Sequence, residues 1–232
     1  MADLSRFPVT ARWRPANPDL LQLYSATTPN GVKVSIMLEE TGIPYEAHRV
    51  DISNGESRGP AFLSLNPNGK IPAIIDPRGP NGRPFGLAES CAILIYLAEK
   101  TGMLLSHDAE RRYATIQWVI WQVSAMGPMF GQVGYFAKFE GREIEDKRPL
   151  AHYVDESKRL LTVLESKLDD GPWIMGADYS IADIATLGMV RNLVGFYGAG
   201  ELVGFAQFSN VRAWLERGLS RPAVRSGLLV PA

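Results

Sequence analysis

The chain has a single cysteine, Cys91, in 232 residues. That excludes an internal disulfide framework and any metal site with two thiolate ligands. Histidine is scarce too: His48, His107 and His152 stand far apart, and no metal-ligand spacing exists. No metal is expected. Neither sign of charge is in surplus, with 24 Lys+Arg against 25 Asp+Glu. Binding to phosphate backbones needs clustered excess cations, so nucleic acid is not an expected partner. Long apolar runs are also missing. The longest, residues 91–98, falls far short of the roughly 20 residues of a membrane span, so no membrane partner is expected. The opening MADLSRFPVTARWRPANP carries Arg6, Arg12 and Arg14 but no apolar targeting core. A cytoplasmic protein with a proline-broken extension over residues 1–19 is expected. What is present is 46% hydrophobic residues and 21% charged ones, an ordinary globular composition able to bury a sizeable core.

The apolar pattern divides the chain in two. LQLYS reads as a strand, residues 32–42 as a helix stopped by Gly42, and residues 45–51 as a second strand. This βαβ unit favours parallel pairing with a right-handed crossover. A short strand at 73–75 and its hairpin partner at 85–87 flank the turn-rich PRGPNGRP, and a helix follows at 90–100. The order βαβ then ββα matches the thioredoxin architecture, so an α/β domain is expected over residues 20–103. After a linker at 104–108, everything reads as helix, giving an all-α domain over residues 109–232. One long helix at 109–139 is expected to kink or break at Gly127-Pro128. Further helices are read at 149–168, from Ser180, and near 207–217.

Three motifs carry candidate chemistry, and a fourth serves folding. In Thr28-Pro29-Asn30-Gly31, Thr28 suits an N-cap and Pro29 the first helical position. That tip, at the positive end of the helix dipole, favours a bound anion, a thiolate included. Thioredoxin-like redox proteins carry C-x-x-C there; with no cysteine in this turn, any thiol must come from a ligand. In Asn66–Ala73, Ile71 precedes Pro72, and a cis bond would leave the Ile71 backbone free to pair with an extended peptide. Lys70 beside it can meet a carboxylate. Glu89 and Ser90 open a helix and offer an acid, a hydroxyl and free N–H groups to an amino-acid end. Ser180-Ile181-Ala182-Asp183 is a capping box and serves folding. Taken singly, each of the first three is also an ordinary cap or turn.

Order and spacing together are specific. The runs LYSATTPNGVKVSIMLEETG, LNPNGKIPAI, ESCAILIYLAEKTG, GPMFGQ and YSIADIA resemble a cytosolic glutathione transferase from about residue 20 to 231. They most resemble the bacterial Nu class and its relatives around the fungal prion-forming nitrogen regulator. The resemblance implies that Thr28 and Asn30 are catalytic, both near the glutathione sulfur. It implies that Ile71, before a cis-Pro72, pairs with the cysteinyl part, and that Lys70 lies near the glycine carboxylate. Glu89 and Ser90 would hold the γ-glutamyl end, and Gln132 and His152 would add further glutathione contacts. It also implies glutathione as co-substrate, with two per subunit in the disulfide-reducing members, and a homodimer.

Three positions depart from the pattern. Ser57 stands where a glutamine is frequent, His152 where some relatives have arginine, and Cys91 where glycine is common. Cys91, inside an apolar helix, reads as a small buried residue. Trp118, Trp121, Met126, Met129, Phe130, Tyr135 and Phe136 read as core or as the wall of an apolar substrate pocket. Tyr24 reads as strand packing. The expected activity is glutathione-dependent reduction of small disulfides. The alternatives are conjugation of apolar electrophiles and a non-catalytic glutathione-binding module.

Overall fold

In the computed structural model, which describes residues 2–231, the chain forms two compact units. The first runs through Thr101 and is rejoined by the segment from Pro222; the second is Gly102–Arg221.

The first unit is a four-stranded mixed sheet in the order β2-β1-β3-β4, with β1 at Leu21–Ser25, β2 at Tyr45–Arg49, β3 at Ala73–Asp76 and β4 at Phe85–Ala88. β1 runs parallel to β2, with Leu21 opposite Tyr45, and antiparallel to β3, with Tyr24 opposite Ala73. β3 and β4 form the antiparallel hairpin. Every residue of β1 is buried, as a strand covered on both faces must be. Helices α2 (Gly31–Thr41) and α4 (Ser90–Thr101) pack against each other. Gly42 ends α2 in the left-handed conformation that a residue without Cβ adopts at least cost.

Alternation along β1 turns Tyr24 to the other side of the strand. There it meets Leu4, Phe7, Val9 and Phe62 in one buried cluster, with Trp13 edge-on to both rings. Val9 lies on the single turn α1 (Val9–Arg12), and Phe62 on α3 (Pro60–Leu63). Trp13 Nε1 donates to the Arg49 carbonyl at 2.9 Å, and the Glu46 carboxylate accepts from the N–H groups of Ala16 and Asn17. Residues 2–19 therefore pack on this unit, with Leu4, Phe7 and Val9 in its core, where the sequence suggested a separate extension.

The far end of the chain differs from expectation in the same way. Residues from Pro222 form a short helix, α10 (Pro222–Gly227), that packs on α2 and belongs to the first unit. Ser35 Oγ donates to the Gly227 carbonyl at 2.6 Å. The all-helical unit thus stops at Arg221 rather than at residue 232.

The second unit holds α5 (Ala109–Trp121), α6 (Gly127–Lys138), α7 (Arg148–Lys167), α8 (Ile181–Val194) and α9 (Ser209–Ser220). Between α5 and α6, residues Gln122–Met126 form a π-helical turn. Pro128 cannot donate a backbone hydrogen bond, and its ring crowds the carbonyl four residues back. The disturbance falls in the turn before Gly127-Pro128, so the chain widens there rather than breaking at the dipeptide. The capping box forms: Ser180 Oγ accepts from Ala182 N–H, and Asp183 accepts from Ser180 N–H. Asp183 goes further than a cap, since its other oxygen accepts from Ile174 N–H and from Trp214 Nε1, each at 2.9 Å. Met126 and Phe130 are core, while Trp118 and Trp121 meet edge-to-face and are half-buried. Among the described residues, no helix is long and apolar enough to cross a membrane.

Candidate functional site

The site begins where β1 hands over to α2. The helix starts at Gly31, with Asn30 as its flanking residue, so Thr28-Pro29 lie in the turn ahead of it rather than at cap and first position. Thr28 still does a cap's work. Its Oγ1 accepts from Gly31 N–H at 3.1 Å, and its carbonyl accepts from Val32 N–H at 3.0 Å. Because Oγ1 is an acceptor in that bond, the hydroxyl proton is left to be donated outward. Only glycine fits the next position: a Cβ on Gly31 would lie 1.9 Å from the Ala26 carbonyl oxygen. The glycine lets the helix tip settle directly on the end of β1.

Thr28 and Asn30 line a cavity of about 400 Å³, together with Lys70, Ile71 and the loop residues Ser57 and Arg58. The structure thus brings four of the expected site residues to one place. Ile71-Pro72 is a cis peptide, Pro72 is buried, and Ile71 stands just outside the ladder that starts at Ala73. Asn66 Nδ2 donates to the Lys70 carbonyl at 2.7 Å and fixes the turn that leads in. The lining carries two cations and no carboxylate. That balance suits an anion, and the volume suits a small peptide.

Glu89 and Ser90 open α4 and do not line this cavity. Glu89 is exposed and has φ +70°, a backbone value that a side chain with Cβ rarely adopts; its carbonyl accepts the first bond of α4, from Ile93 N–H at 2.9 Å. Backbone held in that region is concentrated at functional sites. Ser90 is buried, as is Cys91. Gln132, on α6, and His152, on α7, are exposed residues of the second unit, and the His152 ring leans edge-on against Tyr153.

One residue of this region was not singled out from the sequence. Lys33 lies in a stretch of α2 buried from Gly31 to Leu38 and is itself fully buried. Its ammonium donates to Asn30 Oδ1 at 2.9 Å and stands 4.0 Å from Cys91 Sγ. Burial lowers its pKa, while Cys91 and Glu89 pull the other way. The signal was a lone lysine inside the apolar run VKVSIML. Tyr24, by contrast, is core: its ring stacks on His48 at 4.7 Å, and burial raises its phenol pKa.

The chain is similar to known proteins. The family model described as "Glutathione S-transferase, N-terminal domain" matches residues 27–100, and that for the C-terminal domain matches residues 129–217. The chain is 42% identical to the Disulfide-bond oxidoreductase YfcG of Escherichia coli over 90% of its own length and 95% of that protein's. It is similar in structure to a glutathione transferase from Burkholderia graminis with two glutathione molecules bound per subunit, at TM-score 0.98 and 61% identity, covering 100% of this chain and 96% of that one. It is also similar to a glutathione transferase from Pseudomonas putida with one glutathione disulfide bound per subunit, at TM-score 0.97 and 56% identity, covering 99% and 100%.

Proposed function

Because this chain belongs to the glutathione transferase family, we propose that it is a glutathione-dependent disulfide-bond reductase of the Nu-class kind, cytoplasmic and homodimeric. The observation that carries this reading is the pairing of Thr28 and Asn30 at a cavity without a protein thiol. The names of the relatives support it: YfcG is a disulfide-bond oxidoreductase, and the similar structures hold two glutathiones or their disulfide.

The residues present fit glutathione. The lining is cationic and free of acids, and its volume suits a tripeptide. When bound, glutathione supplies the thiolate that opens a disulfide and expels one thiolate, and a second glutathione supplies the thiolate that frees the other half as glutathione disulfide forms. The protein's part is positioning and electrostatics. Thr28 donates its free hydroxyl proton to the sulfur, and Asn30 adds an amide donor, so the charged form is favoured. The α2 dipole acts in the same direction. Ile71 pairs its backbone with the cysteinyl residue, and Lys70 meets the glycine carboxylate. Glu89 and Ser90 hold the γ-glutamyl ammonium and carboxylate.

Turnover of a small model disulfide and of an aryl halide, each with glutathione, tests the reading. Disulfide reduction is expected to be the faster by far, and Thr28→Ala or Asn30→Ala to lower it roughly 100- to 1,000-fold, the scale for losing one donor to a developing anion. A larger rate with the aryl halide assigns the thiolate to conjugation instead. Bound glutathione with neither activity leaves a binding module.

A further inference from the structure

Lys33 is a buried cation one turn into the helix whose tip carries the site, and glutathione chemistry as proposed above gives it no role. A lysine head has donors only and no acceptor. Its bond to Asn30 therefore fixes the carboxamide with Oδ1 toward the lysine, at 2.9 Å. The NH₂ end is then the end left for the cavity that Asn30 lines. Without such a partner, an exposed asparagine at a helix tip has two amide orientations of similar energy. One of them would set a carbonyl oxygen against the sulfur and oppose a thiolate.

We propose that Lys33 is a positioning residue that locks the Asn30 amide with its NH₂ end toward the glutathione sulfur. The groups around Lys33 agree with this. Cys91 Sγ, from α4, lies 4.0 Å from Nζ, and Glu89, in the turn before α4, acts on it through charge. Neither is positioned to take over the Asn30 contact, and both favour the charged ammonium, the stronger donor. α10 packs on the same helix, but the bond it receives comes from Ser35, on a different face. The inference rests on the disulfide-reductase reading only in that glutathione sulfur occupies the cavity.

The test is the thiol titration of bound glutathione, followed by thiolate absorbance, in wild type and in Lys33→Met. The methionine keeps the volume of the buried stem and removes the donor. The partner that remains, Asn30, is exposed, so its freed carbonyl oxygen turns to water rather than staying buried and unpaired. The variant is expected to raise the thiol pKa by about one unit and to lower kcat about tenfold, the equivalent of one charge-assisted hydrogen bond, with KM for glutathione little changed. In an Asn30→Ala background the same change is expected to have no further effect, since the lysine acts through that amide. Unchanged thiol titration in Lys33→Met, or losses that add in the double variant, would overturn the proposal. If the methionine variant does not fold, nuclear magnetic resonance of wild type decides. The Asn30 side-chain amide protons are expected to shift as the bound thiol ionises, and a silent amide overturns the proposal. A wild type whose bound thiol titrates like the free one defeats the reductase reading itself. An acidic wild-type thiol that survives the lysine change defeats only the role of Lys33.

Discussion

At the end of β3, Asp76 is buried and held by three donors: Tyr96 hydroxyl at 2.6 Å, Lys100 Nζ at 2.8 Å and Arg78 N–H at 2.8 Å. Burial opposes its charge, but the hydrogen bonds and the Lys100 cation prevail, and its pKa lies below the ordinary carboxylate value. An acid with a depressed pKa in the folded state stabilises the fold above its unfolded pKa, about 3.9, and loses that contribution as the pH falls through the lower folded value. Asp76→Asn is expected to cost about 1–3 kcal/mol at neutral pH, with the gap to wild type closing under acid. Denaturant melts across that range check it; a gap that does not narrow would contradict the assignment. The residues of the cavity were legible beforehand because their motifs are local: Thr28 with Asn30, and Lys70 with Ile71, are each read from a few neighbours in sequence. Lys33 was not legible. Lysines in helices are normally solvated heads on apolar stems, and only the packing of α4 against α2 reveals a buried one.

Helices and strands were read well where one periodicity governs an element. β1 was read with its observed bounds, and α2 and α4 to within a residue or two. What escaped were single turns whose existence depends on the rest of the fold: α1, α3 and α10. None is long enough to show a period. α10 carries a test of its own. A Cβ on Gly227 would come within 2.6 Å of the Ile36 backbone, atoms that cannot swing away. Gly227→Ala is expected to destabilise the first unit by about 1–3 kcal/mol through overpacking, measurable as a fall in denaturation midpoint. An unchanged midpoint would show that α10 contributes nothing to the packing of α2. The π turn at Gln122–Met126 was foreseen as a disturbance but misplaced by a few residues, since Pro128 acts on the turn before it.

Over the whole molecule, two units were legible from the change of texture near residue 102, but the ends of the chain were not. Segments near both ends belong to the sheet unit, Leu4–Val9 packing with Tyr24 and Pro222–Gly227 on α2. Such long-range returns have no local signature. The Thr28 turn itself is fixed at the start of α2 by its bonds from Gly31 N–H and Val32 N–H, and a preorganised donor pair requires such fixing. The central claim is that this turn keeps a borrowed sulfur ionised. Titrating wild-type protein saturated with glutathione tests it most directly. The thiol is expected to ionise well below the ordinary value of about 8.5; a midpoint at that of free glutathione would contradict the account.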